Sequence, residues 1–184
     1  MTKMSYPNKE NNVLILFLNE STKHWHFKDI VKNASISKER ANFWLKKLVK
    51  GKVINHIKPG GKMPYFQGNW GHPNYYYKKK LYGLNQLYGQ GLLTKLLSLE
   101  EAKTIIIFGS FARGDWHTKS DIDIFIYGDP GDLKFGTLFA GREVQVHFFK
   151  TKKEIKDIKS GLMKNIINGF FVKGSINDIA KVSV

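Results

Sequence analysis

The stretch "TIIIFGSFARGDWHTKSDIDIFIY", residues 104–127, decides how the second half of the chain folds. It opens on a short apolar, β-branched run that ends in Gly109 and Ser110, the pattern of a buried strand followed by a tight turn. "FARGD" can open a short helix there, where Gly-Ser offers backbone N–H groups and a hydroxyl to an anion. "DIDIFIY" then alternates strictly. Asp121, Asp123 and Phe125 fall on one face of a strand, and Ile122, Ile124 and Ile126 on the other. Two carboxylates on one face can hold hard cations, and Mg²⁺ suits such a pair because it takes its other ligands from water and substrate phosphates. A phosphate cradle beside a metal-binding pair is what phosphoryl or nucleotidyl transfer requires, since that chemistry is mainly positioning and charge neutralisation.

"GSFARG" followed by "SDIDIFI" resembles the signature of the DNA polymerase β-like nucleotidyltransferases, in particular the minimal nucleotidyltransferases. The resemblance covers about residues 100 to 175. It implies that Gly109 and Ser110 hold the triphosphate of ATP or another NTP, and that Asp121 and Asp123 coordinate two Mg²⁺ ions. Arg113 either neutralises phosphate and braces the loop or pairs with an acid such as Asp115. Ser120 reads as a structural bond to the turn before the strand.

The family places a third carboxylate on a following strand, where it serves as general base. The candidate strand is "REVQVHFF", with Val144, Val146 and Phe148 expected in the core and Glu143, Gln145 and His147 opposite. The third acid aligns with Gln145, which accepts no proton at neutral pH. Three accounts stay open: Glu143 reaches the metals, His147 is the base, or the site binds nucleotide without transferring it.

Thr151 and Glu154 form a capping-box pair that opens an amphipathic helix carrying Ile155, Ile158, Leu162 and Ile166 over the sheet, and "GFFVKG" can add an edge strand. No large domain follows to build a small-molecule pocket, so the acceptor is expected from a partner protein, nucleic acid or a homodimer interface. By resemblance it is a HEPN-type toxin-like protein, which would make this chain an antitoxin that adenylylates it.

The first half reads differently. "VLILFLNE", residues 13–20, reads as a buried helix, although periodicity alone also allows a strand. "FKDIVKNA" follows as a second helix. A third begins after Ser37 as N-cap and stops at Gly51, with Ala41, Trp44, Leu45 and Leu48 as its apolar stripe. "KVINHI", "KPGGK" and "MPYFQ" then make a hairpin, which "GNWGHPNYYYKKK" is expected to extend as a wing. Three helices and a hairpin resemble a winged helix-turn-helix domain. Lys38, Asn42, Lys46 and Lys50 on the recognition helix and Lys62 in the hairpin are then the candidate contacts to double-stranded DNA. "LNQLYGQGLLTKLLSLEEA" reads as a connecting helix from about Gly91.

The expected whole is an α+β chain of two domains: a winged helix-turn-helix over residues 1–88 and a polymerase β-like fold, a short mixed sheet with helices, over 89–184. Charge agrees with that division. The chain carries 30 Lys and Arg against 15 Asp and Glu, and the first hundred residues hold 17 of the bases but 5 of the acids. That excess suits contact with a polyanion, and a winged-helix regulator with an inactive nucleotidyltransferase-like domain is the alternative function. There is no cysteine, so neither disulfides nor thiolate chemistry arise. No signal-peptide core or membrane-length apolar run is present, and the cytoplasm is the expected location.

Overall fold

The computed structural model describes residues 9–133, 137–139 and 141–180. The chain divides into two compact units, Met1–Lys79 and Lys80–Val184.

The first unit contains α1 (Lys9–Asn19), α2 (Phe27–Ala34), α3 (Lys38–Lys50) and the hairpin β1 (Ile54–Ile57) and β2 (Tyr65–Gly68). The apolar density of residues 13–20 resolves to helix, which buries Val13, Phe17 and Leu18. α2 ends at Ser35 in the left-handed conformation, and α3 starts where the Ser37 hydroxyl accepts a hydrogen bond from Arg40 N (3.3 Å). Ala41, Leu45 and Leu48 of α3 pack inward, and Trp44 is half-buried. β1 and β2 pair antiparallel, Ile54 opposite Gly68 and Ile57 opposite Tyr65.

The expected wing extension is corrected. Residues 73–89 form a helix, α4 (Pro73–Gly89). Proline suits the first helical position, where its missing N–H costs nothing, and His72 Nδ1 before it accepts from Asn74 N (3.1 Å) in the manner of a cap. The helical period also separates the tyrosines. Tyr75 is buried and donates its hydroxyl to Phe17 O (2.9 Å), while Tyr77 is 62% exposed. Gly68 makes room for Tyr75, because a Cβ there would lie 2.8 Å from the ring.

In the second unit the sequence continues through α5 (Leu92–Leu97), β3 (Ala102–Phe108), α6 (Gly109–Arg113), β4 (Ile122–Gly128), β5 (Thr137–Phe139) and β6 (Arg142–Phe149). It finishes with α7 (Lys152–Lys156), α8 (Ser160–Ile167), β7 (Phe170–Lys173) and α9 (Ile176–Ile179). The helix expected from Gly91 is thus a short one, and the residues before Gln90 belong to α4. The sheet order is β5-β6-β4-β3-β7; β4 and β6 run parallel and the other pairs antiparallel. β7 is the expected edge strand.

Both faces of this sheet are covered, so its central strands are apolar almost throughout. One face, with Ile105, Ile107, Ile122, Ile124, Ile126, Val144 and Val146, packs on Leu87 of α4, Leu92 and Leu96 of α5, and Trp116. The other, with Ile106, Phe108, Phe125 and Tyr127, packs on Ile155, Ile158, Leu162 and Ile166. Those four residues share the face expected of them, yet they lie on two helices. The amphipathic run breaks at Asp157, whose N–H turns back to Lys153 O and Glu154 O, and Ser160 and Gly161 restart it poorly. Phe148 is a second correction. It is 50% exposed, because the cluster with α4, α5 and Trp116 that covers this face takes in Val144 and Val146 but not Phe148. Phe149 packs on the opposite face, its ring stacked 5.5 Å from Phe125. Among the described residues no helix is long and apolar enough to cross a membrane.

Candidate active site

β3 delivers the chain into the site, and one glycine sets its geometry. Gly109 has φ +69°, a conformation that side chains rarely adopt. A Cβ there would collide with the Asp123 carboxylate, its Cγ lying 2.8 Å away. Glycine therefore lets the carboxylate of β4 rest against the turn after β3, with Phe108 opposite Asp123 in register. Ser110 and Arg113 follow on α6, which Gly114 closes in the left-handed conformation. Arg113 Nε sits 3.0 Å from Asp115 Oδ2, an exposed ion pair.

The loop from Asp115 to Asp121 is fixed at both ends. Trp116 is buried and stacks on Phe111 (5.2 Å, 5° between planes) and on Tyr82 (5.8 Å). Ser120 Oγ accepts from His117 N (2.9 Å), the structural bond expected of it. Arg142, at the start of β6, donates to His117 O (2.8 Å) and Ser120 O (2.9 Å), with its guanidinium against the rings of Phe111 and Trp116. Burial lowers the pKa of Arg142 from its ordinary value, offset in part by Tyr82.

Beyond the loop, Asp121 and Asp123 reach the cleft on the same side of β4. The parallel register sets Asp123 beside Gln145 and Phe125 beside His147. Gln145 Nε2 donates to Asp121 Oδ2 (2.8 Å), so the side chain that the neighbouring parallel strand presents holds the first aspartate. Asp123 is half-buried, and burial pushes its carboxyl above the usual carboxylate range; Asp121 adds to this, while His147 and Arg113 oppose it. The His147 ring packs 5.4 Å from Phe108.

These elements enclose a cleft of about 520 Å³. It gathers Gly109, Ser110, Arg113, Asp121, Asp123 and His147, all named from sequence, together with Gln145. Glu143 does not line it. His117 and Lys119 from the loop and Leu162 and Asn165 from α8 do, and the sequence reading named none of these four as site residues. The sole available signal was the pair of basic residues inside the interval between Gly-Ser and Asp-x-Asp. Among the described residues no group of three His, Asp or Glu forms a self-contained metal site. The two aspartates do fit a hard cation that draws further ligands from water and phosphate, since a divalent charge would relieve the repulsion and desolvation that Asp123 bears.

The candidate DNA contacts belong to the first unit. Lys38, Asn42, Lys46 and Lys50 are exposed along α3, and Lys62 is exposed in the hairpin turn. Phe43, 62% exposed, lies among them.

The match to a protein-family model falls on the second unit. Residues 90–174, just under half of the chain, match the nucleotidyltransferase domain family. That segment is similar to nucleotidyltransferase domains, whose members generally use an NTP and Mg²⁺. Over 27 residues the chain is 67% identical to a protein of Methanocaldococcus jannaschii provisionally described as a protein adenylyltransferase. That stretch is 15% of this chain and 27% of the relative. No solved structure matches the chain.

Proposed function

We propose that the protein is a Mg²⁺-dependent nucleotidyltransferase that moves AMP from ATP to a hydroxyl of a protein acceptor. The observation that carries this reading is the cleft in which Asp121 and Asp123 face Ser110 and Arg113. Asp121 and Asp123 would hold the metal, which neutralises the phosphates and favours displacement at the α-phosphorus. The acceptor oxygen forms the new bond to that phosphorus, the bond to the β-phosphate breaks, and pyrophosphate leaves. The acceptor proton goes to His147, which lines the cleft, or to solvent. Gln145 takes no part as a base and keeps Asp121 oriented. A protein acceptor accords with the name of the archaeal relative, and a HEPN-type toxin is the partner that the family resemblance suggests.

The test is calorimetry of ATP with and without Mg²⁺, on the native protein and on Asp121→Asn/Asp123→Asn. Mg²⁺-dependent binding that the variant loses supports a working donor site; equal binding by both proteins sinks it. Transfer that appears only in Gln145→Asp would mark the native site as a nucleotide sensor.

A second reading has its own observation. The exposed row Lys38, Asn42, Lys46 and Lys50 on α3, with Lys62 in the hairpin, suits a winged-helix regulator that lays this helix in a DNA major groove. Both functions can reside in one chain.

A further inference from the structure

We infer that Asn42 and Phe43 of α3 read adenine and thymine in the DNA major groove, so that the duplex taken by the first unit carries A·T pairs. The inference rests on the DNA-binding reading and extends it from backbone contact to the choice of base.

The outward face of α3 is not uniformly charged. Lys38, Asn42, Lys46 and Lys50 recur at a spacing that stacks them along one side of the helix, and all are exposed. The uncharged member of that row has Phe43 beside it. Among the described residues the Asn42 amide makes no hydrogen bond, and Lys46 and Lys50 make no ion pair. Glu39, the acid of α3, is bonded at the first turn to the Ser37 hydroxyl and to its own backbone N–H.

Phe43 is 62% exposed, although α3 has an apolar stripe that packs inward. Its ring meets the Trp44 ring edge-on at 4.8 Å, with 75° between planes. Lys47 lies over Trp44 (4.8 Å) and pairs with Glu10 (3.0 Å). This chain of contacts braces the phenyl group outward before any ligand arrives, which lowers the ordering cost of binding.

The chemistry of the row divides the work. Lysines at its ends suit phosphates, which position a helix but carry no sequence information. An amide offers a donor and an acceptor together and matches adenine N7 and the N6 amino group. A phenyl ring offers neither and finds its major-groove partner in the thymine methyl. Both residues lie in the first half of α3, the part of a recognition helix that approaches base edges. Because adenine pairs with thymine, one A·T pair or two neighbouring pairs can meet both side chains.

Fluorescence anisotropy of the full chain would compare duplexes with an alternating A·T core, the same core with uracil for thymine or 7-deazaadenine for adenine, and a G·C core with and without 5-methylcytosine. Uracil lacks the methyl and 7-deazaadenine lacks the N7 acceptor, while phosphate charge is the same throughout. Native affinity should fall about three- to fivefold with uracil and about five- to a hundredfold with 7-deazaadenine. Methylation of cytosine should strengthen binding to the G·C core. Phe43→Ala should ignore both methyl groups and Asn42→Ala should ignore 7-deazaadenine. Both variants should keep the native salt slope, because neither loses a charge. A response that is absent from the native protein, or that survives in the matching variant, overturns the inference. Salt-dependent binding that is equal on every duplex overturns it too, while leaving α3 on the DNA backbone. Native protein that binds no duplex removes the inference together with the DNA-binding reading.

Discussion

Gly109 and Asp123 belong to different strands, yet each explains the other. The carboxylate occupies the space that any Cβ at Gly109 would need, and the backbone there has φ +69°. Gly109→Ala should therefore lower stability by about 1–3 kcal/mol, read as a fall in melting temperature. It should also displace Asp123 and remove Mg²⁺-dependent ATP binding. An unchanged melting curve with native ATP binding would show that the turn tolerates the side chain. At this scale the motif residues were legible, because Gly-Ser and Asp-x-Asp fall in one short interval of sequence. Arg142 was not, since its partners are carbonyl groups some two dozen residues away, and carbonyls leave no mark in a sequence. Glu143 was named for sharing a face with Gln145 and His147, but sharing a face does not bring a side chain to the cleft.

Among the elements, α4 shows where local reading fails. Gly, Trp, His, Pro and three tyrosines suggest a loop, yet the run becomes helical from Pro73, and Tyr75 turns inward to donate to Phe17 O. What selected helix was the site waiting for Tyr75 beneath α1 and Gly68, a long-range contact. Burial raises the Tyr75 pKa to about 12, against a weaker opposing effect from Ser21. The unfolded chain ionises first, near the ordinary value, so this contribution is whole below about pH 10 and is lost as pH rises toward 12. Over that window the native protein should lose about 2–3 kcal/mol that Tyr75→Phe does not lose. At neutral pH Tyr75→Phe should be less stable by about 1 kcal/mol, the worth of one hydrogen bond. Denaturant melts at pH 7, 10 and 11.5 would check both; parallel pH dependence in the two proteins would contradict the assignment. α7 and α8 teach the converse. Their apolar face was legible from spacing, but the break at Asp157 was not, because helix ends are set by which carbonyls a turn can satisfy.

For the molecule as a whole, the unequal charge of the two halves has a direct thermodynamic consequence. If α3 and the hairpin bind duplex DNA, each lysine on a phosphate releases counterions, and log K falls linearly with log salt by about 0.9 per contact. Lys46→Glu should weaken binding uniformly across sequences and flatten that slope by about 1. Fluorescence anisotropy on a labelled duplex between 50 and 200 mM salt, as an order-of-magnitude range, would read both quantities. Binding that ignores salt, or an unchanged slope in Lys46→Glu, would remove α3 from the interface.

Features that depend on neighbours along the chain were legible before any fold was known. Caps and apolar spacing marked the second and third helices, glycines the hairpin, a β-branched run and strict alternation the β3-turn-β4 passage, and the period of a strand the aspartate pair. Features that depend on groups far apart in the chain came only with the folded structure. It set Gln145 on Asp121, Arg142 on the loop carbonyls, and His117, Lys119 and Asn165 into one cleft with the aspartates. It also left Glu143 out of that cleft and turned residues 73–89 into a helix. Periodicity records which face a residue occupies. Strand order, register and the covering helices decide what that face meets.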